Sequence, residues 1–230
     1  MSDFIVYGSP PSPFVRKVQT VLGHAGIAYD FEDVNIMSMP DWFVEISPAK
    51  RIPVLRDKTV GETGIPGTIP DSSAIILFLE KKYNLGLYGA NAFETGRVAW
   101  MEEYADTAMA MPFGLEFFRP ILFPLFAGKP SQVETARKAW NETFPRLFDY
   151  LEGVLDGGDY FVGGQFSVAD VAVACQMMQL DLLAGLPDAG KWPSLVKHTE
   201  AMKERPGMNE NLEKSSQMLR MLIPEKIDLS

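Results

Sequence analysis

Apolar positions near the start of the chain change their period twice. Residues 4–7 (FIVY) are a short apolar run stopped by Gly8-Ser9-Pro10-Pro11, which predicts a buried strand followed by a loop. Phe14, Val15, Val18, Val21, Leu22 and Ala25 then recur at helical spacing. Pro13 suits the first helical position and Gly26 the end, so Ser12 falls at the N-cap. Residues 28–36 alternate as a second strand, giving a β-α-β unit with a right-handed crossover. Ile52-Pro53-Val54-Leu55 predicts a third strand with a proline near its start, and Thr68-Ile69 a short fourth. Asp71 or Ser72 caps a helix over 73–83. The order read from the pattern is β-α-β-(α)-β-β-α.

Beyond Leu85 the strand-like alternation stops. Amphipathic segments over 94–111, 131–156, 167–184, 194–205 and 209–222 predict an all-helical second half, joined to the first through Tyr83–Gly89. The expected domains are therefore 1–84 and 91–230. Phe166-Ser167-Val168-Ala169-Asp170-Val171 reads as a capping box with a hydrophobic staple. Pro145 should kink or divide the 131–156 segment. Residues 112–130 (PFGLEFFRPILFPLFAGKP) carry five phenylalanines and four prolines, too broken for one regular helix.

Composition narrows the function. With 230 residues and 47% apolar content the chain can bury a sizeable core. A net charge of −9 opposes binding to nucleic acid or an anionic membrane, and an anionic ligand would need a local positive pocket. No stretch approaches the ~18 consecutive apolar residues of a membrane span, and no leader-like segment precedes residue 4, so a cytoplasmic protein is expected. One cysteine, Cys175, and two histidines supply neither a disulfide framework nor a zinc cluster, and no metal is expected.

Three places could carry chemistry, and each has a plain structural reading beside the functional one. Ser12 is a routine helix cap, or a hydroxyl donor to a thiolate held in the positive field of a helix N-terminus. No G-x-S-x-G elbow marks it as a hydrolase nucleophile. A cis bond at Ile52-Pro53 would expose the Ile52 backbone to an antiparallel peptide, with Lys50 and Arg51 beside it either as carboxylate binders or as a solvated pair. Asp71-Ser72 caps its helix, or grips an amino-acid head group: Ser72 and the helix N–H groups take a carboxylate, Asp71 an ammonium. The aromatic stretch after residue 112 is either domain core or, with Pro11, Phe14, Tyr104, Phe113 and Phe117, the wall of an apolar pocket.

In order and context these segments resemble the glutathione S-transferase family over nearly the whole chain. Ser12-Pro13-Phe14-Val15-Arg16-Lys17-Val18 is similar to the catalytic-serine turn of its serine-type classes, Arg51-Ile52-Pro53-Val54-Leu55 to its cis-proline strand, Asp71-Ser72 to its acidic-Ser pair, and Phe166–Asp170 to its helical capping motif. The resemblance implies a thioredoxin-like α/β domain followed by an all-α domain and a homodimer. It also implies glutathione as cosubstrate, bound by Ser12, Phe14, Lys50, Arg51, Ile52, Pro53, Asp71 and Ser72, and transferred to a hydrophobic small-molecule electrophile in detoxification. A catalytically silent binding module and a glutathione-dependent peroxidase or reductase are the alternatives. Two departures stand out: residues 57–70 form a long loop where a tight hairpin is usual, and the acid of the pair is Asp rather than Glu.

Overall fold

Phe4 and Val6 point to one side of the first strand and Ile5 and Tyr7 to the other, and this alternation decides what each face of the sheet carries. In a computed structural model that describes residues 2–229, β1 (Phe4–Gly8) runs parallel to β2 (Tyr29–Asp33) across the helix α1 (Pro13–His24). β1 also pairs antiparallel with β3 (Val54–Asp57), which pairs antiparallel with β4 (Thr68–Ile69), in the order β2-β1-β3-β4. Tyr7 and Val54 pack with Phe43 and Ile46 of α2 (Asp41–Ile46) on one face. On the other face, Phe78 and Tyr83 of α3 (Ser72–Tyr83) meet Phe4 edge-on at 6.2 and 6.3 Å. The element order is the one the pattern predicts, and the arrangement is the thioredoxin-like one the resemblance implies.

The third strand starts later than its apolar run. Ile52 and Pro53 precede the ladder, which begins at Val54 and continues through Arg56 and Asp57. Those two polar residues tolerate burial because each is bonded, Arg56 to Tyr7 Oη at 3.2 Å and Asp57 to Lys82 Nζ at 2.6 Å.

The chain divides into two units, Met1–Gly86 with Arg205–Lys214, and Leu87–Glu204 with Ser215–Ser230. Residues 205–214 thus belong with the sheet, although their helical spacing groups them with the second half. Residues 1 and 230, the outer bounds of the expected domains, lie outside the described residues.

The second unit is helical. Its first helix, Ala92–Phe126, runs straight through the proline-rich stretch, contrary to the expectation that 112–130 would break it. Wider π turns at Ala105–Met109 and Phe113–Phe118 make room for the rings and missing N–H groups of Pro112 and Pro120. One window of 18 residues in this helix has a mean hydropathy of 1.2. That window is 33% buried, and the buried part is one stripe: Met101, Ala105, Met109, Phe113, Phe117 and Ile121, one every fourth residue. Pro145 divides the next segment, opening the helix Pro145–Leu155 where its absent N–H costs nothing. The helix Val168–Leu183 is buried along almost its entire length and is capped as expected: Asp170 Oδ2 accepts from the Ser167 N–H at 2.8 Å and from its hydroxyl at 3.0 Å.

Candidate functional site

Sheet register brings three of the sequence motifs to one edge. Tyr7, at the end of β1, pairs with Val54, the first residue of β3, and Leu55 pairs with Ile69, the last of β4. The chain therefore leaves β1 toward Ser12, enters β3 from Ile52-Pro53, and leaves β4 toward Asp71-Ser72 at the same end of the sheet. The two helix starts are also tied: Lys17, in the second turn of α1, donates from Nζ to Ser73 Oγ in the first turn of α3 at 3.0 Å.

Ser12 is the N-cap of α1. Its Oγ accepts from the Val15 N–H at 3.4 Å, a long bond, and among the described residues the hydroxyl donates to nothing. No acid stands in the first turn of α1, so the positive end of the helix is uncompensated from within. Arg16 and Lys17 add two cations just behind it, both almost fully buried. Within a chain of net charge −9, this helix start is therefore a place where an anion meets a helix dipole with no acid in its first turn. Phe14 and Pro11 flank Ser12 and are half-buried.

The Ile52-Pro53 peptide is cis. The Ile52 side chain packs on the cluster of Tyr7, Val34, Phe43, Ile46 and Val54, and Pro53 is buried. Lys50, with φ +53°, and Arg51 are exposed. The turn beneath them is held by Ser47, whose buried hydroxyl donates to the Arg51 carbonyl at 2.7 Å and accepts its N–H at 3.1 Å. Asp71, rather than Ser72, is the cap of α3: its Oδ1 accepts from the Ala74 N–H at 2.9 Å. A carboxylate has room for further donors, so capping leaves Oδ2 for a cation. Ser72 lies beside it, buried, with its hydroxyl unbonded among the described residues.

The expected apolar wall separates into two faces. Phe113 and Phe117 are core residues, 1% and 0% exposed, meeting Phe144 edge-on at 4.6 and 6.0 Å, and present no surface to a ligand. Once the helix is seen to continue through Pro112, periodicity explains this, because 109, 113 and 117 form the inward stripe. The outward stripe of the same helix is Tyr104, Ala108, Met111 and Leu115, with Met111 and Leu115 well exposed. Ala108, Met111 and Leu115 of that stripe line a groove of about 410 Å³ together with Arg146, whereas Tyr104 lies outside its lining. Burial and the neighbouring Tyr150 push the Tyr104 hydroxyl above its usual value, so it stays protonated at neutral pH.

One support of the Ser12 turn had no signal in the sequence. Asn211, 195 residues from Arg16, accepts from its Nε at 2.6 Å and donates to the Pro10 carbonyl at 3.0 Å and to Gln19 Oε1 at 2.7 Å. It fixes the loop two residues before Ser12. Gly207 permits this approach: with φ +79°, a Cβ there would lie 2.1 Å from the Gln19 carbonyl oxygen. Among the described residues, no group of three His, Cys, Asp or Glu side chains is placed to hold a metal ion.

Comparison with known proteins bears on the family of the chain. Residues 6–90 match the family model for the glutathione S-transferase N-terminal domain, and residues 116–215 that for its C-terminal domain. The chain is similar to a glutathione S-transferase domain-containing protein of Dictyostelium discoideum, 28% identical over 88% of this chain and 80% of the relative. It is 27% identical to glutathione S-transferase D6 of Drosophila melanogaster, over 97% and 98% of the two chains. Among solved structures, a glutathione transferase homologue of Drosophila mojavensis with bound glutathione superposes with a TM-score of 0.78 over 99% of this chain and all of its own, at 23% identity. Two family models matched in sequence order, on a sheet and a helical unit built as that family builds them, mean that this chain belongs to the glutathione S-transferase family.

Proposed function

We propose that this protein is a glutathione transferase in which Ser12 Oγ donates a hydrogen bond to the glutathione sulfur and keeps it as a thiolate. The observation that carries the reading is the unused donor of Ser12 at a helix start with no acid in its first turn. The thiol proton is lost to solvent, the sulfur attacks an electrophilic carbon, and the C–S bond forms as the leaving group departs. Ser12 is a donor throughout and forms no covalent bond.

Asp71 takes the ammonium and Ser72 the carboxylate of the γ-glutamyl end, the Ile52 backbone pairs with the peptide, Pro53 and Phe14 shape the floor, and Lys50 and Arg51 attract the distal carboxylate. The second substrate is apolar and lies on the helical unit against Tyr104, Ala108, Met111 and Leu115, which replace Phe113 and Phe117 in that role. A thiol–disulfide reductase is not favoured, since position 12 is a hydroxyl and Cys175 is buried in its helix. A cytoplasmic homodimer acting in detoxification belongs to the same reading through family membership.

The test is Ser12→Ala with glutathione and an aryl halide. Turnover is expected to fall about 100-fold, the loss typical of one donor to a developing anion, with glutathione affinity changed by less than about threefold. The thiolate absorbance that appears when wild type binds glutathione should vanish. Equal turnover of the two proteins would remove Ser12 from the mechanism.

A further inference from the structure

The long connection between β3 and β4 has little secondary structure of its own, and the two-residue β4 that it leads into is followed, after Pro70, by the Asp71-Ser72 pair. β4 is only two residues long and is paired at Leu55↔Ile69 and Arg56↔Thr68, too short a ladder to fix the following chain by itself. What organises the loop is Arg56, 3% exposed. Its Nη1 donates to the carbonyls of Gly61 at 3.1 Å and Pro66 at 3.0 Å, its Nη2 to that of Gly64 at 2.9 Å, and its Nε to Tyr7 Oη at 3.2 Å. All four bonds go to neutral oxygens, so the guanidinium acts as a planar fork that gathers backbone carbonyls rather than as half of an ion pair. The loop base closes tightly around it. A Cβ on Gly67, which has φ +78°, would lie 2.6 Å from the Asp57 carbonyl oxygen, and one on Gly61 2.6 Å from that of Pro66. From Pro66, held by Arg56, five residues lead to Asp71.

We propose that Arg56 is a positioning residue for glutathione: by gathering the carbonyls of Gly61, Gly64 and Pro66 onto the end of the sheet it fixes the exit of β4, and with it the Asp71-Ser72 grip on the γ-glutamyl head group. This rests on the reading of Asp71-Ser72 given under the proposed function. Arg56 is buried and bonded to the loop and to Tyr7, so its expected contribution is confined to glutathione affinity.

Arg56→Met and Arg56→Lys are compared with wild type by calorimetric titration with glutathione and by steady-state kinetics with an aryl halide. Arg56→Met is expected to weaken glutathione binding and raise its KM about tenfold, the order of loss when a binding group is displaced by a fraction of an ångström. The kcat at saturating glutathione and the KM for the halide should stay within about twofold of wild type. A lysine replaces the fork with one ammonium that cannot reach three carbonyls together, so Arg56→Lys should fall between. If Arg56→Met does not fold, Arg56→Lys carries the test, because it keeps the charge and the stem. Wild-type affinity in both variants, or a loss confined to kcat, overturns the role of Arg56. Absence of glutathione binding in wild type overturns the underlying reading as well, so the two failures are told apart by the wild-type titration.

Discussion

Ser12 and Ser167 occupy the same position, the cap of a helix start, and differ in what becomes of the hydroxyl proton. Ser167 is 1% exposed, and its hydroxyl donates to Asp170 Oδ2 at 3.0 Å while its N–H donates to the same oxygen at 2.8 Å. At Ser12 the third helical residue is Val15 instead of an acid, the residue is half-buried, and the hydroxyl is used only as the acceptor of a 3.4 Å bond. A hydroxyl has one proton to give. An acid at the third helical position consumes it and makes the cap structural, whereas an apolar residue there leaves it for a ligand. The sequence difference between S-x-x-D and S-x-x-V is thus a difference in available chemistry, and each side of it can be broken separately.

The largest effect is expected from removing the acid. Asp170 also accepts from the Phe161 N–H at 3.0 Å and lies 3.1 Å from His198 Nε2, so Asp170→Ala strands several buried donors. A loss of about 4 kcal/mol in urea unfolding is expected, with Asp170→Asn milder because it keeps the shape and one acceptor. Turnover per folded molecule should be unchanged in Asp170→Asn, and a large fall in it would blur the line between the two caps. Ser167→Ala should cost less, about 1 kcal/mol, because the acid still holds the Ser167 N–H. Ser12→Ala should cost less again, below about 0.5 kcal/mol, since its bond is long and partly solvated. Stability losses of equal size at Ser12 and Ser167 would show that the two hydroxyls do the same work.

Most of the sheet and two of these caps were legible because their signals are local. The apolar run at Phe4–Tyr7, the spacing of Val15, Val18, Val21 and Leu22, and the acid three residues after Ser167 all lie within a turn or a strand length. Two kinds of feature were not. Prolines at 112, 120 and 124 argue locally against a helix, yet tertiary burial of the Met109, Phe113 and Phe117 stripe sustains it through π turns. Asn211 and Arg56 act through backbone carbonyls far along the chain or across a loop, and a carbonyl leaves no trace in residue identity.

A third helix start tests whether a carboxylate cap leaves a signature that Ser12 must lack. The helix Pro193–Lys203 has Trp192 at its cap position and takes its acceptor from elsewhere: Glu152 Oε1 accepts the Ser194 N–H at 3.1 Å and Oε2 the Leu195 N–H at 2.9 Å. Partial burial pushes the Glu152 carboxyl up, but the bonds from the Ser194 hydroxyl and from these two N–H groups outweigh it and hold it below the usual 4.5. A carboxyl lowered on folding adds stability above its unfolded value and loses it as pH falls through the lower folded value. Wild type should therefore lose part of its stability as pH drops below 4.5, whereas Glu152→Gln, which keeps an acceptor but no charge, should lack that part of the decline. Because the group is half-exposed and screened, the difference is expected to stay below about 1 kcal/mol. Ser12→Ala should leave this acid limb as steep as in wild type, because no titrating group shares its cap. An acid limb flattened by Ser12→Ala would mean that a carboxylate does compete for that hydroxyl, and the contrast with Ser167 would disappear.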